Sequence, residues 1–127
     1  MDPVSLTFVV KTYDIDFAGI VSNLVYVRWL EDLRLQLLSQ TYPLDRLIAD
    51  GLGPVLLETH ITYRDTLTIH DKPEGRMLVE NMGNVRWTAA AEFVSPNSGR
   101  IHATARQTGL FIRLDNQRPV RIPDRLQ

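Results

Sequence analysis

The chain is 127 residues long, about one domain, and its 44% hydrophobic and 23% charged residues allow a real core in an ordinary water-facing balance. A formal net charge of −1 with no basic block gives no footprint for nucleic acid, and zero cysteines exclude disulfides, thiolate zinc sites and a cysteine nucleophile. No apolar run approaches the roughly 18–20 residues of a membrane span. The opening MDPVSLTFVVKTYD also lacks the basic and apolar regions of a secretory leader, so a cytoplasmic location is expected.

Ser5 to Thr12 is short, β-branched and aromatic, and reads as a first strand. A turn from Asp14 to Gly19 interrupts it, carrying two acids, Asp14 and Asp16, and the small pair Ala18-Gly19. From Ser22 to Ser39 the spacing predicts a long helix. Tyr26, Trp29, Leu30, Leu33 and Leu37 form one stripe, and Val21, Leu24, Val25, Val27, Leu35 and Leu38 widen the apolar coverage beyond a single face. Its polar strip is Arg28, Glu31, Asp32 and Arg34, with Arg28 and Asp32 at i,i+4 and Glu31 beside both arginines. Ser22 or Asn23 serves as its N-cap, and Pro43 follows its end.

Leu44 to Asp50 is a shorter amphipathic piece, ended by glycines. Period-2 patterning then takes over. Val55, Leu57, Thr59, Ile61 and Tyr63 alternate with Leu56, Glu58, His60, Thr62 and Arg64, and Thr66–His70 is expected to continue that strand past a bulge at Asp65. Arg76–Asn81 and Val85–Val94 read as further strands between turns at Asp71–Gly75, Gly83-Asn84 and Ser95–Gly99. Arg100–Leu114 is a long last strand with Ile101, Ala103, Ala105, Gln107, Gly109 and Phe111 on one face. The sum is one α+β domain, residues 1–127: a single antiparallel sheet curled round one long helix. One sheet cannot cover so apolar a helix and leaves its edges open, so at least a homodimer is expected, with a homotetramer as the larger choice.

The chemistry-bearing residues cluster at the start of that helix. A helix N-terminus offers unpaired N–H groups and partial positive charge. An acid beside such donors can attack, or activate water against, a carbonyl that they polarise. Asp16 and the turn from residue 18 to residue 23 place both functions a few residues apart, and Gly19 lets backbone approach a ligand. Asp16 as a mere cap of its own turn is the competing reading. Asp14 reads as a brace of the turn through backbone N–H groups. The three histidines, His60, His70 and His102, have no metal-ligand spacing, and there is no G-x-S-x-G, P-loop or G-x-G-x-x-G.

The segment Asp14-Ile-Asp16-Phe-Ala18-Gly19-Ile20-Val21, followed by Asn23, Tyr26, Arg28-Trp29-Leu30 and Glu31, resembles the 4-hydroxybenzoyl-CoA thioesterase family. The Ile61-Thr-Tyr63 strand leading to the Asp71 turn, and Pro119-Val-Arg-Ile-Pro123, extend the likeness more loosely. The resemblance implies the hotdog fold and hydrolysis of an acyl- or aroyl-CoA, or an acyl carrier protein thioester, to free acid and thiol. No cofactor is implied, coenzyme A being part of the substrate. It implies Asp16 as the catalytic carboxylate and the Asn23 N–H as the group that polarises the carbonyl. Ala18, Gly19, Ile20, Tyr26 and Trp29 are the implied substrate contacts. Phe17 stands where the benzoyl-type enzymes carry proline, and Asn23 where a related bacterial branch carries histidine. The family's basic cluster for nucleotide phosphates is not recognisable, which leaves Arg64, Arg86, Arg106 and Arg113 as candidates. Two other classes stay open: a non-catalytic hotdog module that binds acyl thioesters, and a hotdog enoyl-thioester hydratase working through His60 and Glu58.

Overall fold

The structure is a computed structural model describing residues 1–127. Strand β1 (Val4–Thr7) leads into a short 3-10 turn at Thr12–Asp14, helix α1 (Asn23–Ser39) and helix α2 (Leu44–Ala49). Strands β2 (Leu52–Tyr63), β3 (Glu74–Met82), β4 (Trp87–Val94) and β5 (Ile101–Arg113) follow, then the two-residue β6 (Pro119–Val120) and a closing 3-10 turn at Asp124–Leu126. The strands form one antiparallel sheet in the order β1-β3-β4-β5-β2, with β6 on β5. β1 and β2 are thus the ends of the main path. β2 is twelve residues long, and its outer side has no partner strand.

Helix α1 lies in the curl of that sheet because its stripe has nowhere else to go. Val25, Tyr26, Trp29, Leu30, Leu33 and Leu37 are buried, Leu30 and Leu33 completely, each such side chain contributing about 1.5–3 kcal/mol relative to exposure. They meet Phe8, Phe93, Ala89, Ala103 and Met77 from the sheet side in one core cluster. Phe8 and Trp29 stack at 4.9 Å, and Tyr26 meets Phe93 edge-on at 5.3 Å. The apolar residues beyond the stripe behave differently: Leu24 is 75% exposed, and Val27 and Leu35 are also exposed. One chain therefore covers one side of this helix and leaves the rest bare.

Several local expectations change. The first strand stops at Thr7, where Phe8 turns inward and its N–H donates to Pro73 O. The β2 alternation is broken by a bulge between Leu56 and Glu58, so Leu56 packs on the core while Leu57 is 48% exposed. Thr66–His70 is loop rather than strand, held by a single bridge from Thr68 to Ile20 and by Asp71, whose Oδ2 accepts from Thr68 N–H at 2.7 Å. Arg28 does not pair with Asp32; it reaches Asp14 at 3.6 Å, and Glu31 takes Arg34 at 3.1 Å. The helix cap is Ser22, with Asn23 the first helical residue.

Candidate active site

The turn before α1 is built by its own acids. Asp14, 5% exposed, accepts Lys11 N–H on Oδ2 at 2.9 Å, and its carbonyl accepts Ser22 N–H at 2.9 Å. It is a brace, fixing where the helix begins. Asp16 closes the next loop. Its Oδ1 accepts Ala18 N–H at 2.9 Å and, more weakly, Ile20 N–H at 3.4 Å. Its backbone N–H donates to Ile20 O, while its carbonyl accepts Gly19 N–H. Gly19 sits at φ +76°, a left-handed position natural to glycine, with open space where a Cβ would stand. An antiparallel bridge between Ile15 and Val21 folds the loop back, so Asp16 is carried alongside the start of α1.

The two readings of Asp16 therefore coexist on one carboxylate. Oδ1 caps the turn, and Oδ2 makes no protein hydrogen bond. The amides of Ala18, Gly19 and Ile20 are spent on Asp16, so they are not free to bind a carbonyl oxygen. The Asn23 N–H, first of the helix, makes no bond and is exposed. One free carboxylate oxygen and one free helix-start donor thus share an open surface, and this pair is the chemical content of the turn.

A loop beside it is fixed from below. Val21 N–H donates to Leu67 O, next to the Ile20–Thr68 bridge. The other side of that loop is held by His102, 4% exposed, whose Nδ1 donates to Thr66 O at 3.1 Å while Nε2 accepts from the Ser95 hydroxyl at 2.6 Å. Tyr63 at the end of β2 donates to Asn23 O at 3.2 Å and packs edge-on against Tyr26 at 5.3 Å. Burial, helped by Tyr63, Asp65 and Asp71, pushes the Tyr26 hydroxyl up to about 12.

Tyr26 and Trp29, expected at the substrate, stand in the aromatic core instead. The open apolar space is elsewhere. A cavity of about 380 Å³ lies between the C-terminal half of α1 and the inner face of the sheet. Its walls include Leu35, Leu38, Pro54, Leu56, Val79, Met82 and Trp87. Two charged side chains stand in that wall: Glu31, largely exposed, and Arg34, 16% exposed. Burial pulls its guanidinium below the ordinary arginine range, against the opposing effect of Glu31. Its Nη1 donates to Oε1 of the buried Gln107 at 2.8 Å. The sequence reading passed over both residues. The signal for Gln107 was available: a polar residue in the inward register of β5, between Ala105 and Gly109.

Of the arginines considered for phosphates, Arg106 is clamped by Glu80 at 2.6 and 3.0 Å, and Arg113 by Asp115. Arg64 and Arg86 are exposed and have no carboxylate partner; Arg64 directly follows β2, at the end where Tyr63 meets α1. His60 lines a shallow outer groove with Arg64, Arg76 and Arg106, and forms no ion pair with Glu58. No helix is long and apolar enough to cross a membrane.

The single curled antiparallel sheet with one long helix in its curl is the hotdog fold. The chain superimposes on the DHNA-CoA thioesterase from Staphylococcus aureus with a TM-score of 0.88 at 18% identity, covering 96% of this chain and 82% of that one. It superimposes equally well, TM-score 0.88, on the 1,4-dihydroxy-2-naphthoyl-CoA thioesterase from Synechocystis, at 17% identity and 98% and 92% coverage. The dynemicin thioesterase, whose crystal structures show polyene binding, gives 0.88 at 25% identity, with 98% and 92% covered. No curated protein matches the sequence. Residues 10–127 match the model of the Thioesterase-like superfamily, and the chain belongs to that family.

Proposed function

We propose that this protein hydrolyses an acyl-CoA thioester to the free acid and CoA, with Asp16 as the catalytic carboxylate and the Asn23 N–H as the donor to the carbonyl oxygen. The observation that carries this reading is the division of labour on Asp16: Oδ1 is held by the turn, and Oδ2 is free beside the unpaired helix start. The thioester oxygen accepts from Asn23 N–H, where the partial positive charge of α1 supports the developing negative charge. Oδ2 then either takes a proton from the attacking water or attacks the carbonyl carbon itself. In both cases the C–S bond breaks and the sulfur leaves as CoA thiolate; water attack gives the free acid at once, whereas carboxylate attack leaves a mixed anhydride on Asp16 that a water then hydrolyses to the free acid. The chemistry calls for no metal or redox cofactor. Arg64, unpaired just past β2 at the outer groove, is a candidate for the phosphate of either a CoA or a phosphopantetheine carrier. The CoA thioesters named for the two bacterial relatives support the choice of CoA. The hydratase reading loses ground because His60 lies on the outer groove, whereas the free carboxylate lies at the start of α1.

The active unit in this reading is a homodimer, with a homotetramer as a further assembly. β2 has a free outer edge and exposes Leu57 and Tyr63; Phe17 is fully exposed beside Asp16, and Leu24 and Val27 stand bare on α1. β2 starts at the cavity, through Pro54, Val55 and Leu56, and ends at the helix start, through Tyr63. Antiparallel pairing of two such edges about a two-fold axis carries the partner's Asp16 turn to the mouth of this chain's cavity. The acyl group then sits in the cavity, and the thioester meets the carboxylate from across the interface. The lack of cysteines keeps the cytoplasm as the proposed location. The test is thiol release from aromatic, short-chain and long-chain acyl-CoA and from acyl carrier protein thioesters, with wild type and Asp16→Asn run together. Release by wild type that Asp16→Asn loses supports the reading. Unchanged release in a folded Asp16→Asn protein removes it, and saturable binding without release points to an acyl-binding module.

A further inference from the structure

The cavity is mostly apolar, and its wall holds two charged side chains, Arg34 and Glu31, and Trp87, whose buried indole N–H has no hydrogen-bond partner. Arg34 brings a guanidinium into its wall, and the side chain is only 16% exposed. Burying a cation costs several kcal/mol unless it is well paired. Its only carboxylate partner, Glu31, stands 3.1 Å away in the same wall, with a side chain 61% exposed. Gln107, 1% exposed, is a dedicated support. Its Oε1 takes Arg34 Nη1 at 2.8 Å, and its Nε2 donates to Thr59 Oγ1 at 3.1 Å, so neighbours on both sides fix the amide. Of the guanidinium's five N–H groups, only those facing Gln107 and Glu31 are engaged. The remaining N–H groups make no protein hydrogen bond, on a planar fork held at the wall of the cavity.

We infer that the cavity selects an acyl group bearing an oxygen acceptor along its length, a keto, hydroxyl or carboxylate oxygen, and that Arg34 is the residue that reads it. A plain hydrocarbon chain fills the same walls but offers no acceptor to the guanidinium or to the Trp87 indole N–H, the kind of mismatch by which polar sites reject apolar analogues. Gln107 is a positioning residue: it holds the plane of the fork and does not touch the ligand. This inference rests on the thioesterase reading above, and it can fail while that reading stands.

The experiment measures kcat/KM for octanoyl-CoA and for eight-carbon acyl-CoA thioesters carrying a keto group at successive positions, in wild type, Arg34→Met and Arg34→Lys. The corresponding free acids are titrated into the same proteins by calorimetry. Wild type is expected to prefer at least one keto thioester over octanoyl-CoA by about tenfold or more. Arg34→Met brings that ratio down toward unity, and Arg34→Lys, which keeps the charge and loses the fork, retains part of it. Gln107→Met lowers the ratio through KM. A wild-type enzyme indifferent to the keto group overturns the inference, as does an Arg34→Met that loses rate equally on all members. If no thioester is turned over, the thioesterase reading falls by itself. The free-acid titrations then decide the inference: a keto-dependent affinity lost in Arg34→Met keeps it, and equal affinities end it.

Discussion

The two ends of α1 solve opposite problems. At its start, residues 14 to 23 form a turn tied together by its own backbone; Asp14 Oδ2 accepts Lys11 N–H and Asp16 Oδ1 accepts Ala18 N–H, while Asp16 Oδ2 stays free. At its other half the helix faces a mostly apolar, partly open cavity whose wall holds Glu31 and Arg34, the latter backed by Gln107. The first end holds a carboxylate and a donor but no cavity for an acyl group; the second holds a cavity whose carboxylate, Glu31, is paired with Arg34. Along α1 the step from Asn23 to Arg34 in the cavity wall is about 16 Å, so within one chain the chemistry and the cavity are set apart. The free edge of β2 is what can bring them together, and each prediction below acts on one end or on that edge.

The largest effect is expected at the chemical end. Asp16→Asn keeps Oδ1 and with it the bonds to Ala18 and Ile20 N–H, so the fold should survive with little change in melting temperature. The free oxygen becomes an amide that neither accepts a proton nor attacks. Hydrolysis should fall by about a hundredfold or more, expressed in kcat. Loss of rate together with loss of folding would instead mean that Asp16 matters only as a cap.

Next comes the edge. Wild-type protein should sediment at twice the 14.5 kDa chain mass, or four times it if dimers pair. Leu57→Lys puts a charge on the bulge of the open strand, a device by which natural edges resist pairing. It should weaken self-association by about tenfold or more, and activity should follow the dimer fraction on dilution. A wild type that is monomeric and fully active would break the idea that the two ends meet across subunits.

Two glycines separate the ends by stability. A Cβ on Gly109 would meet Trp87 Cζ2 at 2.3 Å and Val55 O at 2.6 Å, against the cavity wall. Gly109→Ala should cost about 1–3 kcal/mol and lower the melting temperature. Gly19 has open space but φ +76°, so Gly19→Ala should cost only about 1 kcal/mol. Its effect should fall on kcat, through the loop that holds Asp16. Equal thermal losses in both would contradict the contrast.

How far these ends were legible in the sequence follows from what each is made of. The helix and its stripe were readable because burial there obeys a 3.6-residue period, and the strands because theirs obeys a period of two. The curled single sheet followed from a long helix too apolar for one surface. The turn was legible as a motif, since D-x-D-x-A-G compresses its chemistry into consecutive residues. What the motif could not show is that Ala18, Gly19 and Ile20 donate to Asp16 itself; that needs the backbone path. The cavity was illegible for a different reason. Its wall draws on α1, β2, β3, β4 and the C-terminal turn, whose juxtaposition no local period encodes. Tyr26 and Trp29 entered as substrate contacts through the family resemblance, while the stripe that makes them helical also buries them in the aromatic core. The bulge at Leu57 likewise defeats any reading that counts in twos.

The smallest effect separates the buried aromatic layer beneath the turn from the acid above it. Tyr26 has its hydroxyl raised from 10.0 to about 12, by burial first and then by Tyr63, Asp65 and Asp71. Below pH 10 the tyrosine is neutral in folded and unfolded chains alike, and its contribution to stability is fully present. As pH climbs from 10 toward 12 the unfolded chain releases this proton while the folded one keeps it, so stability drops across that window. Tyr26→Phe removes the ionisable group and leaves the ring packed against Trp29 and Phe93. Its melting temperature at neutral pH should stay within the shift given by about 1 kcal/mol. The alkaline fall between pH 10 and 12 should become shallower without vanishing, because burial raises Tyr63 in the same direction. Thermal melts of both proteins across that window measure it. An unchanged alkaline slope in Tyr26→Phe would show that the proton belongs to another group, and that the aromatic layer does not sense the carboxylates of the neighbouring loop.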